Sequence, residues 1–351
     1  MKLRSTAAGL FCLSALLGSC SAPNTAQTAQ QTAPAEASRT FTNPLQANGP
    51  DPWVTRADGY YYYTNTLGNR IGLWKTKTLS EVGKATEHTV WTPPKTGPNS
   101  VNIWAPELHR LDGKWYLYYT ATDAQKSSDD NRYVFVLENP AADPTTGTWT
   151  DKGKVNTKYP GLDGSLFEHN GQRYFLYSAY VGPQSVLCIA PMTNPWTIDQ
   201  SKEAIIAKPT QEWEKGGGRQ ILEGPEFLPG KKGQLFIVYS GSACWDDNYA
   251  LGMLTAQPGS NVLQASSWTK SDGPVFHKSE QNSVYGTGHN SFTKSPDGTQ
   301  DWLVYHAKDA ATGKCEQRSS RMQPFTWNAD GTPNFGEAVS VNTPLSVPAG
   351  E

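Results

Sequence analysis

The chain has 351 residues, with 30 Lys and Arg against 32 Asp and Glu, 37% hydrophobic and 11% aromatic residues. A formal charge of −2 with no basic run argues against a nucleic-acid partner. No apolar segment approaches the ~20 residues of a membrane-spanning helix.

In chain order, the first segment reads as an address. Lys2 and Arg4 precede an apolar run over residues 7–17, too short to span a bilayer and suited to the core of a signal peptide. The run ends in Leu17-Gly18-Ser19-Cys20, which resembles a bacterial lipobox and implies cleavage before Cys20 and lipidation of its thiol. The mature protein is thus expected outside the cytoplasm, held at the cell envelope, and in contact with membrane only through that lipid. Without Lys2 and Arg4, 28 basic residues face 32 acidic ones and the mature charge is −4. Residues 21–40 are mostly Ala, Thr, Gln, Pro and Ser, a composition that cannot bury enough surface to offset its ordering entropy, so a flexible tether is expected. All 12 Trp follow it, and the fold is expected over residues 41–351 as a single domain.

Of five cysteines, Cys12 leaves with the signal and Cys20 is lipidated, so Cys188, Cys244 and Cys315 remain and cannot all pair internally. Export permits disulfides, and Cys244 with Cys315 is the expected pair. No Cys-x-x-Cys spacing suggests zinc.

From residue 58 onward one pattern recurs: a turn containing Gly, then an aromatic strand ending in Tyr and a polar residue. Its copies run from Asp58-Gly59 to Tyr63-Thr64, from Asp112-Gly113 to Tyr119-Thr120 and from Asn170-Gly171 to Tyr177-Ser178. Two more run from Gly233 to Tyr239-Ser240 and from Asp297-Gly298 to Tyr305-His306. Asp-Gly and Asn-Gly between such runs are hairpin signals. The glycines are 54, 58, 62 and 65 residues apart, a period that predicts propeller blades. The expected fold is all-β: a five-bladed β-propeller of four-stranded antiparallel blades around a central channel. No helical period with caps interrupts it.

A second register precedes each hairpin: Asp51-Pro52-Trp53-Val54, Ala105-Pro106-Glu107-Leu108, Asp163-Gly164-Ser165-Leu166, Glu223-Gly224-Pro225-Glu226 and His289-Asn290-Ser291-Phe292. First strands line a propeller's channel, so Asp51, Asp163, Glu223 and His289 should converge on its axis. Carboxylates gathered there are electrostatically costly unless they perform chemistry. With many aromatics and no cofactor motif, the set suits glycoside hydrolysis, in which one carboxyl protonates the leaving oxygen and another activates water. A third carboxylate can raise the acid's pKa by repulsion.

These residues carry a resemblance to glycoside hydrolase family 43, whose members are inverting enzymes on five-bladed propellers. Gly49-Pro50-Asp51-Pro52-Trp53-Val54, Trp104-Ala105-Pro106-Glu107-Leu108, Leu162-Asp163-Gly164-Ser165, Glu223-Gly224-Pro225-Glu226-Phe227, Gly288-His289-Asn290-Ser291 and the run from Arg318 to Trp327 all match, in order. The resemblance implies Asp51 as general base, Asp163 as the carboxylate that tunes the acid, and Glu223 as general acid. Glu226 is then a supporting or solvated neighbour of Glu223. Glu107 supports the site without carrying the proton, and Arg318 lies near the tuning Asp and the sugar, with Arg321 as its rival. His289 faces an axial metal, usually calcium, that would be loosely held. No cofactor is required for the chemistry. Trp53, Trp104 and Trp245 are candidate sugar platforms. The wording around Cys244 and Arg318 is most similar to the family's α-L-arabinofuranosidases. It implies exo-release of terminal arabinofuranose from arabinan or arabinoxylan by a monomer. The alternatives are β-xylosidase or endo-arabinanase activity on the same scaffold, or a non-catalytic glycan-binding propeller.

Overall fold

The computed structural model describes residues 14, 39–311 and 313–351. The expected signal segment (1–20) and tether (21–40) lie outside them, apart from residues 14, 39 and 40. Among the described residues the chain is all β, and helix is confined to short 3₁₀ turns.

Sheet one comprises Trp53–Ala57, Tyr60–Thr64, Ile71–Thr76 and Glu87–Trp91. Sheet two comprises Val101–Leu111, Lys114–Thr122, Tyr133–Asn139 and Thr150–Lys154. A nine-stranded sheet follows, whose first half we number three: Gly161–His169, Gln172–Val181 and Gln184–Asn194, edged by Thr197–Ile198 and Ala204–Ala207. Its second half, sheet four, comprises Gln220–Pro229, Leu235–Gly241, Ala250–Ala256 and Thr269–Lys270. The halves join only through a two-residue parallel pairing, Gln184 with Gln220 and Ser185 with Ile221. Sheet five comprises Tyr285–Lys294, Asp301–Lys308, Ser319–Trp327 and Pro333–Asn334.

Within each sheet the strands follow chain order and pair antiparallel, as hairpin connections require. Three connections carry the anticipated turns, with φ 51° and 79° at Asp58-Gly59, 50° and 80° at Asp112-Gly113, and 51° and 73° at Asn170-Gly171. Two consecutive residues at positive φ match the twist of the flanking strands.

The second strand of every sheet is apolar on both faces, because each sheet packs between two others. Trp115, Leu117 and Tyr119 join a cluster with Tyr62, Ile71 and Leu73 of sheet one. The alternate residues Tyr116 and Tyr118 join Phe175, Tyr177 and Val186 of sheet three. The same period-two division recurs between sheets three and four, four and five, and five and one. In the last, Trp302, Val304 and Met322 meet Val54, Tyr61 and Tyr63. Each fully buried side chain of this size contributes roughly 1.5–3 kcal/mol, so the interfaces carry the fold.

Hydrogen bonds repeat the circuit. Trp53 Nε1 of sheet one donates to the Leu108 carbonyl of sheet two at 2.9 Å. The Asp163 amide of sheet three donates to Thr120 Oγ1 of sheet two at 3.0 Å, and the His289 amide of sheet five donates to Ser240 Oγ of sheet four at 2.8 Å. Ser291 Oγ of sheet five donates to the Pro52 carbonyl beside sheet one at 3.0 Å, returning the circuit to its start. Thr40–Phe41 also pairs with Leu345–Ser346, tying the two ends of this unit.

Candidate active site

The inner strands share a local distortion that aims the functional side chains. In sheets two to five the ladder skips between Trp104 and Glu107, Leu162 and Ser165, Glu223 and Glu226, and Gly288 and Ser291. Within each skip, and just before sheet one, a residue adopts left-handed backbone: Asp51 (φ 56°), Ala105 (42°), Asp163 (55°), Gly224 (53°) and His289 (46°). Left-handed backbone is uncommon for residues other than glycine, and bulges re-aim side chains. A polar atom from a preceding sheet, or sheet five in the case of sheet one, holds the amide of Asp51, Asp163 and His289 in place. Those atoms are His306 Nδ1 at 3.1 Å, Thr120 Oγ1 and Ser240 Oγ. The polar residue that ends the repeated aromatic strand thus positions the next sheet's functional residue.

This geometry corrects one element of the expected register. The repeated left-handed position in sheet four is Gly224, and Glu223 lies one residue before it, in phase with Trp104 and Leu162. Glu223 nevertheless lines the same pocket, a cavity of about 340 Å³ bounded also by Asp51, Asp163, Trp104, Trp245, His289 and Arg318.

Asp51 is fixed at both carboxyl oxygens. Arg318 donates to Oδ1 at 2.7 Å, and the Thr66 hydroxyl donates to Oδ2 at 2.7 Å. Burial pushes its pKa up, but the Arg318 guanidinium, with lesser contributions from His289 and His306, outweighs burial and holds it well below the usual carboxylate range. Burial drives His306 down to about 3, so its ring is neutral and its Nδ1 accepts the Asp51 amide.

Glu223 is the opposite case. Burial raises it to about 7, the Asp51 charge adds to the rise, and a hydrogen bond from the Tyr249 hydroxyl to Oε1 (2.8 Å) opposes it. Asp163 is pushed well above its ordinary value by burial, then by the charges of Glu223 and Asp51, while the Gly224 amide donates to its Oδ2 at 3.0 Å and favours ionisation. Two neighbouring carboxyls cannot easily both ionise, so between them Glu223 and Asp163 hold a proton at a pH where Asp51 has lost its own.

Arg318 bonds Asp51 and lines the same pocket as Asp163, and its Nε donates to the Cys315 carbonyl at 2.7 Å. Cys315 is disulfide-bonded to Cys244, the expected pair, and both line the pocket. Arg321 is fully buried and turned to Asp309 and Ser319. Trp104 lines the pocket with the Arg132 guanidinium 3.9 Å from its ring centroid. Trp245 is the exposed wall, its Nε1 donating to the Gly217 carbonyl at 2.9 Å.

Two expected site residues fall elsewhere. Trp53 and Glu107 border not this pocket but a crevice with no room for a water, which shares Asp51 and His289 with it and includes Glu226 and Asn290. Trp53 is committed to Leu108 and Thr55, and Glu107 Oε2 is 2.9 Å from His109 Nε2. Glu226 is buried, not solvated. Its pKa is well above normal through burial and the charge of Glu107, and Ser165 donates to it at 3.3 Å. These residues underlie the pocket.

The axial calcium is not supported. Among the described residues no group of three or more His, Cys, Asp or Glu side chains can hold a metal. His289 Nδ1 lies 3.4 Å from Asp51 Oδ1, but both oxygens of that carboxylate are engaged by Arg318 and Thr66, so a hard cation would lack the oxygen ligands it prefers.

The sequence reading missed Thr66, Arg132, Tyr249 and His306. His306 alone had a signal, as the one imidazole where the other repeats end in Thr or Ser.

The fold and its three carboxyls define a class, and comparison with known proteins agrees. The model for glycosyl hydrolases family 43 matches residues 41–333, and the chain belongs to that family. It is 43% identical to an extracellular exo-α-(1→5)-L-arabinofuranosidase of Streptomyces avermitilis, over 89% of this chain and 66% of the relative. It is 39% identical to one of Streptomyces chartreusis, over 82% and 86%. The chain spans about two thirds of the Streptomyces avermitilis relative's length. The crystal structure of an α-L-arabinofuranosidase from Lactobacillus brevis superposes with a TM-score of 0.81 at 36% identity, covering 86% of this chain and 98% of that one.

Proposed function

We propose that this glycoside hydrolase is an inverting, exo-acting α-L-arabinofuranosidase, with Asp51 as base, Glu223 as acid and Asp163 as the carboxylate that keeps the acid protonated. The carrying observation is that two carboxyls with opposite surroundings line one pocket, Asp51 held by Arg318 and Thr66 and Glu223 bonded by the Tyr249 phenol. Asp51 takes a proton from water as the water oxygen attacks the anomeric carbon. Glu223 delivers its proton to the glycosidic oxygen as that bond breaks. Each carboxyl changes protonation once, atoms balance, and no cofactor is needed.

The pocket's size supports exo-action, being at the small end of the ~300–1,000 Å³ usual for ligand sites. So does its rim, where Arg219 bridges to Asp129 at 3.1 Å across the mouth. The arabinofuranosidase names of the relatives support an arabinose-containing glycan as substrate. Packing of each sheet between two neighbours, closing from five to one, supports a five-bladed propeller with its axis through the pocket. Clustering of its residues as one unit supports a single catalytic domain over residues 41–351. The extracellular relatives support an extracytoplasmic location, and the sequence up to Cys20 supports a lipid anchor there.

Release from an aryl α-L-arabinofuranoside should exceed that from an aryl β-D-xyloside by orders of magnitude, and proton NMR of the first product should show inverted anomeric configuration. Preference for the xyloside removes the substrate assignment, and retention removes the mechanism.

A further inference from the structure

Tyr249, which the reaction does not itself require, is fully buried beside the pocket, just before the third strand of sheet four. Its hydroxyl donates to Glu223 Oε1 at 2.8 Å. Its ring lies nearly parallel to that of His306, with centroids 5.6 Å apart and planes 16° apart. His306 in turn accepts the backbone amide of Asp51. One side chain therefore touches the acid and, through a single neutral imidazole, the backbone of the base. The fold makes room for it at Gly288, where a Cβ would stand 2.2 Å from Tyr249 Cε1.

We propose that Tyr249 is a positioning residue for the acid: its hydroxyl occupies Oε1 of Glu223, leaving Oε2 to carry the proton, and its ring sets the acid against the base through His306. The proposal rests on Glu223 being the acid. A hydroxyl donating to a carboxyl favours the ionised form, so Tyr249 offsets part of the rise caused by burial. The other charged or titratable groups lining the pocket with Glu223 are Asp163 and Tyr180 from sheet three, Asp51 before sheet one, Asp129 and Arg132 beside sheet two, and His289, Arg318 and Arg219. Asp51 acts in the opposite direction to Tyr249, and Arg318 and Arg219 act with it.

Tyr249→Phe keeps the ring and removes the hydroxyl. The alkaline limb of its kcat/KM profile should rise by about one pH unit, the scale of a hydrogen bond to a charged group. Its kcat should fall more on arabino-oligosaccharide than on the aryl glycoside. In a Glu223→Gln background, assayed on the aryl substrate, Tyr249→Phe should change nothing further. Site-specific 3-fluorotyrosine, a stronger donor of the same shape, should lower the limb and keeps the test open should the Phe variant fold poorly. A limb that stays fixed or falls in a folded Phe variant, or a full effect in the Gln background, overturns the proposal. If Glu223→Ala loses both substrates equally, the acid assignment itself fails, a result distinct from failure at Tyr249.

Discussion

Two carboxylic acids of nearly equal intrinsic acidity differ in this pocket because of what touches them. Asp51 receives an arginine and a threonine hydroxyl, one on each oxygen, whereas Glu223 receives one phenol and lies near a second carboxyl. Activity should fall as pH rises through about 7, where Glu223 deprotonates, while the acid limb lies well below the usual carboxylate range because Asp51 stays ionised there. Glu223→Ala should lose ~10²–10⁴-fold more activity on arabino-oligosaccharide than on an activated aryl glycoside, whose phenolate leaves without protonation. Asp51→Ala should lose both substrates, since water must be activated whichever group departs. Asp163→Asn should move the alkaline limb downward: the charge that holds a proton on its neighbour is gone, and Glu223 then ionises at lower pH. Rate measurements with both substrates across pH separate these outcomes. Sparing of the aryl substrate by Asp51→Ala would reverse the two roles.

At the scale of the element, the left-handed bulge is the structural unit of the site. It sets a side chain off the sheet faces, and a polar atom from a neighbouring sheet satisfies the exposed amide in three of the five cases. Strain of ~1–3 kcal/mol per such residue persists because packing on both sides leaves no alternative. Gly224 meets the requirement without a side chain, and a Cβ there would come within 3.3 Å of the His289 ring. Gly288 answers a different need, close approach. Gly288→Ala should destabilise the protein by about 1–3 kcal/mol, as overpacking does, and displace Tyr249. Its alkaline limb should then shift upward, as in Tyr249→Phe. Chemical denaturation and a pH profile on one preparation check both, and an unmoved midpoint would show that the core yields at no cost.

For the whole molecule, each sheet buries both faces of its aromatic second strand against two neighbours, so no sheet can be removed without exposing two apolar surfaces. The pocket inherits this: Asp51 and Arg318 join sheets one and five, and Asp163 and Gly224 join three and four. The disulfide adds a covalent tie between the loops of sheets four and five, beside the carbonyl that orients Arg318. The proposed anchoring is a separate matter and rests on Cys20. Cys20→Ser should move the protein from the membrane fraction to the soluble one with its specific activity unchanged. Continued membrane association would assign attachment to an uncleaved signal or to a protein partner.

The repeat of turn, aromatic strand and polar end was written plainly in the sequence, because a strand buried on both faces must be apolar throughout and a tight hairpin must begin with residues that tolerate positive φ. Asp51 and Asp163 were legible as pocket residues for a related reason: each takes the left-handed position of its repeat, and local chain geometry turns it to the pocket. The fourth repeat was misread by one residue, since Gly224 takes the strained position and leaves no side chain to mark it. Trp53 and Glu107 lie two residues beyond the left-handed positions Asp51 and Ala105, a phase that turns away from the pocket, as Glu226 does two residues beyond Gly224. Tyr249, Thr66, Arg132 and the choice of Arg318 over Arg321 belong to tertiary structure alone. They reach the site from loops, and the distance between Tyr249 and Glu223 is set by how the first three strands of sheet four pair and how Gly288 of the adjoining sheet yields space. The order of the carboxyls along the chain was local information, whereas their protonation depends on burial and on neighbours brought from up to 267 residues away.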